Sequence, residues 1–252
     1  MAGSTVFDSA EVYAAGRSER ILGHCASGEP RPVVLASKFA PYPTRLRAAQ
    51  FDRALKATLA RMDRDTIDLY YLHFPYSLVR IEAWMERMAD AVESGRIRAV
   101  GVSNCNASQM RRARDALDRR GLPLAANQVR YSLVHRKPER NGVLAACREL
   151  DVALVAYQPL SGGLLGGRLD ANSGAAARRS AALLDALELI ADDRGVTTSQ
   201  VALNWLLCQD ELVIAIPGTT KATHAAENAE VLNWRLTDQE LDRLDVASAN
   251  AR

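Results

Sequence analysis

Four side chains of this sequence carry the chemistry of proton transfer: Asp8, Tyr13, Lys38 and His73. A phenol is a weak acid, with an unperturbed pKa of about 10, and needs help to give up a proton near neutrality. A lysine ammonium beside it favours the phenolate. An aspartate can pair with and orient that lysine, and a neutral histidine can hydrogen-bond a substrate oxygen. The set therefore suits an oxygen that turns from carbonyl to alkoxide, and reduction of a carbonyl by hydride is the expected reaction. Singly, each residue has a plainer role. Asp8 could cap a helix, Lys38 could be a solvated strand end, and His73, before Phe74-Pro75, could be structural. Their recurrence at successive strand ends argues for a site.

The elements that position them follow from the alternation of short apolar runs with longer segments of helical period, the mark of repeated βα units and a parallel sheet. Val6-Phe7-Asp8-Ser9-Ala10-Glu11-Val12-Tyr13 reads as a strand ending in Asp8 and a loop carrying Tyr13. Seven strands are expected, at 5–8, 33–38, 67–73, 97–103, 126–129, 152–157 and 212–216. Helices are expected at 18–25, 44–62, 81–94, 107–119, 138–150, 180–194, 198–208 and 223–231. Thr44 would cap the second helix, and Gly95 and Gly121 stand where helices end. Thr237-Asp238-Gln239-Glu240 reads as a capping box opening a last helix to about residue 247. Segment 161–180, rich in glycine, is the one long loop-like stretch. The strands end in Asp8, Lys38, His73, Ser103-Asn104, Gln128, Tyr157-Gln158 and Pro217-Gly218, and a barrel of parallel strands gathers its active site at that end.

Composition narrows the function classes. The 252 residues suit one domain spanning 1–252. A net charge of +2, from 32 basic and 30 acidic side chains spread along the chain, selects neither nucleic acid nor an anionic membrane. Cys25, Cys105, Cys147 and Cys208 form no close pair, which argues for reduced, mostly buried thiols and against a metal site or a disulfide framework. Met1-Ala2-Gly3-Ser4 has no signal-peptide pattern and no apolar run would span a bilayer, so a cytoplasmic protein is expected.

The motifs F-D-S-A-E-V-Y, L-A-S-K-F, D-L-Y-Y-L-H, G-V-S-N, A-N-Q-V-R-Y-S-L, A-Y-Q-P-L-S-G-G-L-L and I-P-G-T-T-K-A-T-H-A-A-E-N-A, in this order, resemble the aldo-keto reductase family over essentially the whole chain. The resemblance implies a TIM-type (β/α)8 barrel and NADPH-dependent reduction of aldehydes or ketones. Tyr13 would be the general acid, Lys38 and Asp8 would tune it, and His73 would orient the substrate oxygen. Ser103, Asn104 and Gln128 would hydrogen-bond the nicotinamide carboxamide, and Tyr157 would stack on the ring. Gln158, Pro159, Leu160 and Gly162 would line the pyrophosphate path. Ile216, Pro217, Gly218, Thr219, Thr220 and Lys221 would hold the adenosine phosphates, with Glu227 and Asn228 near the adenine and His224 where relatives contact the ribose phosphate. A loop that opens a helix beside a lysine suits phosphate on physical grounds too. No G-x-G-x-x-G followed by an acidic strand residue is present, so a Rossmann domain is not expected.

Departures from the family pattern add expectations. Only Met1–Ser4 precede the first motif, so the chain reads as a barrel without its first strand and helix, either a fragment or a natural short form. Open strand edges would favour self-association. Ala14-Ala15 stand where glycine is common, and Gln158 where many relatives have serine. Phe39, Tyr42, Phe74, Tyr76 and Tyr131 would wall an apolar substrate pocket, while Trp84, Trp205 and Trp234 would be core. The competing class is a catalytically impaired NADP(H)-binding protein similar to the potassium-channel β subunits.

Overall fold

The computed structural model describes residues 4–29, 32–167 and 180–249. They form two compact units, one drawn from the described residues of 5–129 and 141–154, the other from those of 130–140 and 155–249 with residue 4. The first unit repeats a simple alternation. Strands β1 (Val6–Asp8), β2 (Val34–Phe39), β3 (Ile67–Leu72), β4 (Ile97–Ser103) and β5 (Leu124–Arg130) are separated by α1 (Arg17–Ser27), α2 (Ala48–Met62), α3 (Ile81–Glu93) and α4 (Ala107–Asp118). After β5 come the short α5 (Lys137–Arg140), α6 (Val143–Leu150) and β6 (Ala153–Tyr157). The second unit continues with α7 (Ala181–Arg194), α8 (Thr198–Leu207), β7 (Val213–Ile216), α9 (Ala222–Glu230) and α10 (Asp238–Ala249).

The sheet holds seven strands in sequence order, as expected. Pairing is parallel from β1 to β5. Register fixes where the polar strand ends fall: Asp8 lies opposite Ala36, Lys38 opposite Tyr71, and Ser103 opposite Gln128. All three polar strand ends therefore point the same way along the sheet.

Apolar periodicity places the core of the first unit between sheet and helices. Phe39 has no exposed surface and meets Phe51 and Trp84 edge-on, with ring centroids 5.1 and 5.0 Å away. In the second unit Tyr131 is equally buried, its ring 5.9 Å from Trp205. Phe39 and Tyr131 were both expected at a pocket wall. They are core instead: Phe39 is the last residue of β2 and Tyr131 the first after β5, and alternation along a strand turns such an end position inward as readily as outward. Trp84 and Trp205 are core as expected, whereas Trp234 is half-buried with the Arg194 guanidinium 5.1 Å from its ring. Cys105 and Cys147 are buried thiols, but Cys25 is exposed and Cys208 half-buried.

Two helix expectations need correction. The second helix begins at Ala48, not near Thr44, because Gln50 supplies the cap: its side-chain oxygen accepts from the Leu46 and Arg47 amides at 2.7 and 2.9 Å. Thr44 contributes only its carbonyl, to the Gln50 amide nitrogen. The helix expected at 138–150 is divided into α5 and α6 by Gly142, whose φ of 80° interrupts it. Within 161–180, Ser161–Gly166 forms a 3₁₀ turn kinked at Gly162 and Gly163, and 168–179 lies outside the described residues. Gly95 and Gly121 do follow helix ends, with φ of 71° and 67°, and Thr237 and Glu240 form the expected reciprocal cap. Among the described residues no helix is long and apolar enough to cross a membrane.

Candidate active site

The β1 strand ends at Asp8, and the chain turns at once: the Tyr13 amide donates to the Ala10 carbonyl at 3.0 Å. Tyr13 then opens a 3₁₀ turn, Tyr13–Gly16, in which Ala14 and Ala15 both take left-handed conformations, at φ 47° and 53°. For a residue with a Cβ that region costs about 1–2 kcal/mol. The turn closes at Gly16, φ 81°, where any Cβ would collide with the Arg61 side chain. This strained turn presents the phenol, leaving Tyr13 40% exposed.

Lys38, the penultimate residue of β2, has no exposed surface. An ammonium has three protons to donate, and here all three are used. Nζ donates to Asp8 Oδ2, to the Ser9 carbonyl at 2.7 Å and to Tyr13 Oη at 3.3 Å. Asp8 is held from its other side by Gln128 Nε2, 2.8 Å from Oδ1. Burial pulls the Lys38 pKa below the ordinary lysine value, while Asp8 and, further off, Glu19 push it back up.

His73 follows β3 and stands edge-on to Tyr13, with ring centroids 5.9 Å apart. Burial, aided by the Lys38 charge, lowers its pKa to about 4. The imidazole is therefore neutral at physiological pH. Its Nδ1 is buried with no hydrogen-bond partner among the described residues. Beside it, Asn104 Nδ2 donates to the His73 carbonyl at 3.2 Å and to Ser103 Oγ at 3.0 Å, and Ser103 Oγ donates to the Gln128 carbonyl at 2.9 Å. Asn104 also takes a left-handed φ of 60°. Asp8, Tyr13, Lys38, His73, Ser103, Asn104 and Gln128 thus belong to one hydrogen-bonded cluster at the carboxyl ends of β1 to β5.

Sequence reasoning missed the residues that brace this cluster. Glu11, two positions before Tyr13, accepts the Ala40 amide at 2.7 Å and receives Arg45 in two bonds of 2.5 and 3.1 Å. Glu19 is fully buried and accepts from Ser37 Oγ and Arg61 Nε, each at 2.5 Å. Both carboxylates stood in the first motif or just after it. Their partners lie 34 and 42 residues further on, a pairing that spacing alone does not reveal.

The second unit carries the other expected residues. Tyr157 ends β6, half-buried, and Gln158 and Ser161 turn the chain through left-handed conformations of φ 51° and 49°. Pro159 is buried, and Gly162 faces open space where a side chain would stand. After β7, Pro217 is half-buried while Gly218, Thr219, Thr220 and Lys221 are exposed. Lys221 is the N-cap of α9 and makes no side-chain bond to it, so the first amides of that helix receive no bond from the cap side chain. His224, Glu227 and Asn228 are half-buried on α9, and the Glu227 carbonyl accepts from Gln200 Nε2 at 2.9 Å.

A parallel βα sheet with polar groups gathered at its strand ends defines the class, an α/β barrel-type enzyme. The model of the Aldo/keto reductase family matches residues 1–249, and the chain belongs to that family. It is 35% identical to the chloroplastic pyridoxal reductase of Arabidopsis thaliana, over 98% of this chain and 73% of that protein. Among solved structures it is similar to an aldo-keto reductase from Klebsiella pneumoniae in complex with NADPH, at 31% identity and a TM-score of 0.78, over 96% of this chain and 79% of that one. A thermostable aldo-keto reductase, Tm1743, bound to the inhibitor epalrestat, gives 33% identity and a TM-score of 0.82, with 97% and 82% covered. The chain is an oxidoreductase of this family, with its TIM-type α/β fold represented by seven strands.

Proposed function

We propose that this protein reduces aldehyde or ketone carbonyls to alcohols, with NADPH as the hydride source and Tyr13 as the proton donor. One observation carries the reading: a fully buried Lys38 whose Nζ bonds simultaneously to Asp8, to the Ser9 carbonyl and to the Tyr13 hydroxyl. NADPH, when bound, supplies the hydride. Every other task falls to side chains of this chain. Lys38 lowers the cost of phenolate formation at Tyr13 Oη as the proton leaves for the substrate oxygen. Asp8, fixed by Gln128, keeps the lysine aimed at the phenol. His73, held neutral, hydrogen-bonds the substrate oxygen without competing as an acid.

Ser103, Asn104 and Gln128 are proposed to hold the carboxamide of the nicotinamide and Tyr157 to stack on it. Gln158, Pro159, Leu160 and Gly162 would follow the pyrophosphate, and 216–221 with His224, Glu227 and Asn228 the adenosine end. Donor chemistry supports this, since the amides opening α9 and the Lys221 ammonium favour phosphate. The test is NADPH consumption with a panel of aldehydes, pyridoxal included because of the Arabidopsis relative. Steady turnover is expected. Tight NADPH binding with no turnover on any member would favour a cofactor-sensing protein instead.

A further inference from the structure

The strand-end cluster contains a second ion pair that proton transfer does not use. Glu11 and Arg45 form a two-pronged bridge, with the glutamate 8% and the arginine 22% exposed. Arg45 is committed on every side. Its edge meets Glu11 and, at 2.9 Å, the Ala40 carbonyl, and its centre lies 5.0 Å from the Phe39 ring and 5.3 Å from the Tyr42 ring. From there a continuous aromatic run leads to the proton donor. Tyr42 meets Phe74 at 6.4 Å, Phe74 meets His73 at 5.3 Å, and His73 meets Tyr13 at 5.9 Å. Phe39 is buried beneath this run, whereas Tyr42 is 42% and Tyr13 40% exposed, so its outer members face an arriving molecule.

Charges along the run cancel in pairs. Lys38 is matched by Asp8, and Arg45 by Glu11. Each cation that the described residues place at this aromatic run is already engaged by a carboxylate. We infer that Glu11 is a specificity-determining residue: by occupying Arg45 it makes the aromatic approach to Tyr13 electrically neutral, so that the substrates are uncharged aromatic or apolar carbonyl compounds, and carbonyl compounds bearing a carboxylate are disfavoured. The inference rests on the proposed reductase reading. A substrate carboxylate brought to this wall loses water without gaining a cation, which costs affinity. It would also meet the negative charge of Glu11 if it competed for Arg45.

The test compares kcat/KM for 4-methylbenzaldehyde and 4-carboxybenzaldehyde with NADPH. The unaltered enzyme is expected to favour the neutral compound. In Glu11→Gln, Arg45 is freed and the ratio moves toward the carboxylate by about threefold to fivefold, the range of a partly exposed ion pair. Removing the cation as well, in Glu11→Gln/Arg45→Met, abolishes that gain. A merely structural Glu11 would lower both rates together and leave the ratio fixed, which overturns the inference. Preference of the unaltered enzyme for the carboxylated aldehyde overturns it too, while sparing the reductase reading. Turnover of neither compound overturns both. Should the variants fail to fold, inhibition of the unaltered enzyme decides: benzamide is expected to compete with aldehyde better than benzoate does, and the reverse order sinks the proposal.

Discussion

At Lys38, burial and pairing work against each other. Removing an ammonium from water favours the neutral amine, yet three acceptors surround this one and Asp8, joined further off by Glu19, favours the charge. The pair is stable as a pair and costly to halve. Lys38→Met leaves Asp8 facing an apolar side chain, and breaking such a buried bridge costs about 3–5 kcal/mol. Chemical denaturation of that variant should show a loss of this size, and the variant should have no reductase activity. His73 makes a different prediction. Its pKa falls from the usual 6.5 to about 4 in the folded protein, so the unfolded chain binds the extra proton first as pH drops. The stability this gives is complete above about pH 6.5, and is lost as pH falls toward 4. His73→Gln should therefore flatten the pH dependence of stability across that window, measured as the difference between the two proteins' unfolding free energies. A variant curve parallel to that of the unaltered protein would contradict the neutral imidazole.

Elements fix these groups through backbone features that the sequence disclosed unevenly. The strands were legible to within one or two residues, because apolar runs bounded by polar ends leave little choice of register. The turn after Tyr13 was not: Ala14-Ala15 gives no warning of two successive left-handed residues, a conformation usually left to glycine. Ala15→Gly should stabilise the protein by about 0.5 kcal/mol, the relief of the αL penalty reduced by glycine's greater freedom when unfolded. Helix α1 makes the opposite demand. Gly23 lies against the Met62 carbonyl at the end of α2, where a Cβ would overlap the backbone. Gly23→Ala should cost about 1–3 kcal/mol in thermal or chemical unfolding, since backbone cannot move aside as a side chain can. The caps divided similarly. Thr237 and Glu240 lie three residues apart and could be read from the sequence, whereas the Gln50 cap displaced the expected Thr44 because an amide side chain satisfies two backbone donors at once.

Across the whole molecule, the residues expected to handle protons all fall in the first unit and those expected to hold the dinucleotide from 157 onward in the second. The motif order named the candidate groups; it withheld their bracing, Gln128 on Asp8 across 120 residues and Arg45 on Glu11 across 34. Such pairs depend on which strand ends meet in space, and spacing along one chain carries no record of it. If 216–221 holds phosphate, Lys221→Ala should weaken NADPH binding severalfold at low salt, with a smaller difference at high salt as the charge is screened. Titration of NADPH fluorescence at the two ionic strengths measures this. Proton delivery by Tyr13 is the step on which the proposed chemistry depends. It is read out by single-turnover oxidation of bound NADPH by an aldehyde in Tyr13→Phe beside the unaltered protein, with NADPH affinity measured in both. Equal affinity is expected, with a rate lower by about 10²–10⁴, the usual contribution of a positioned acid; equal rates in the two proteins would contradict that role for Tyr13.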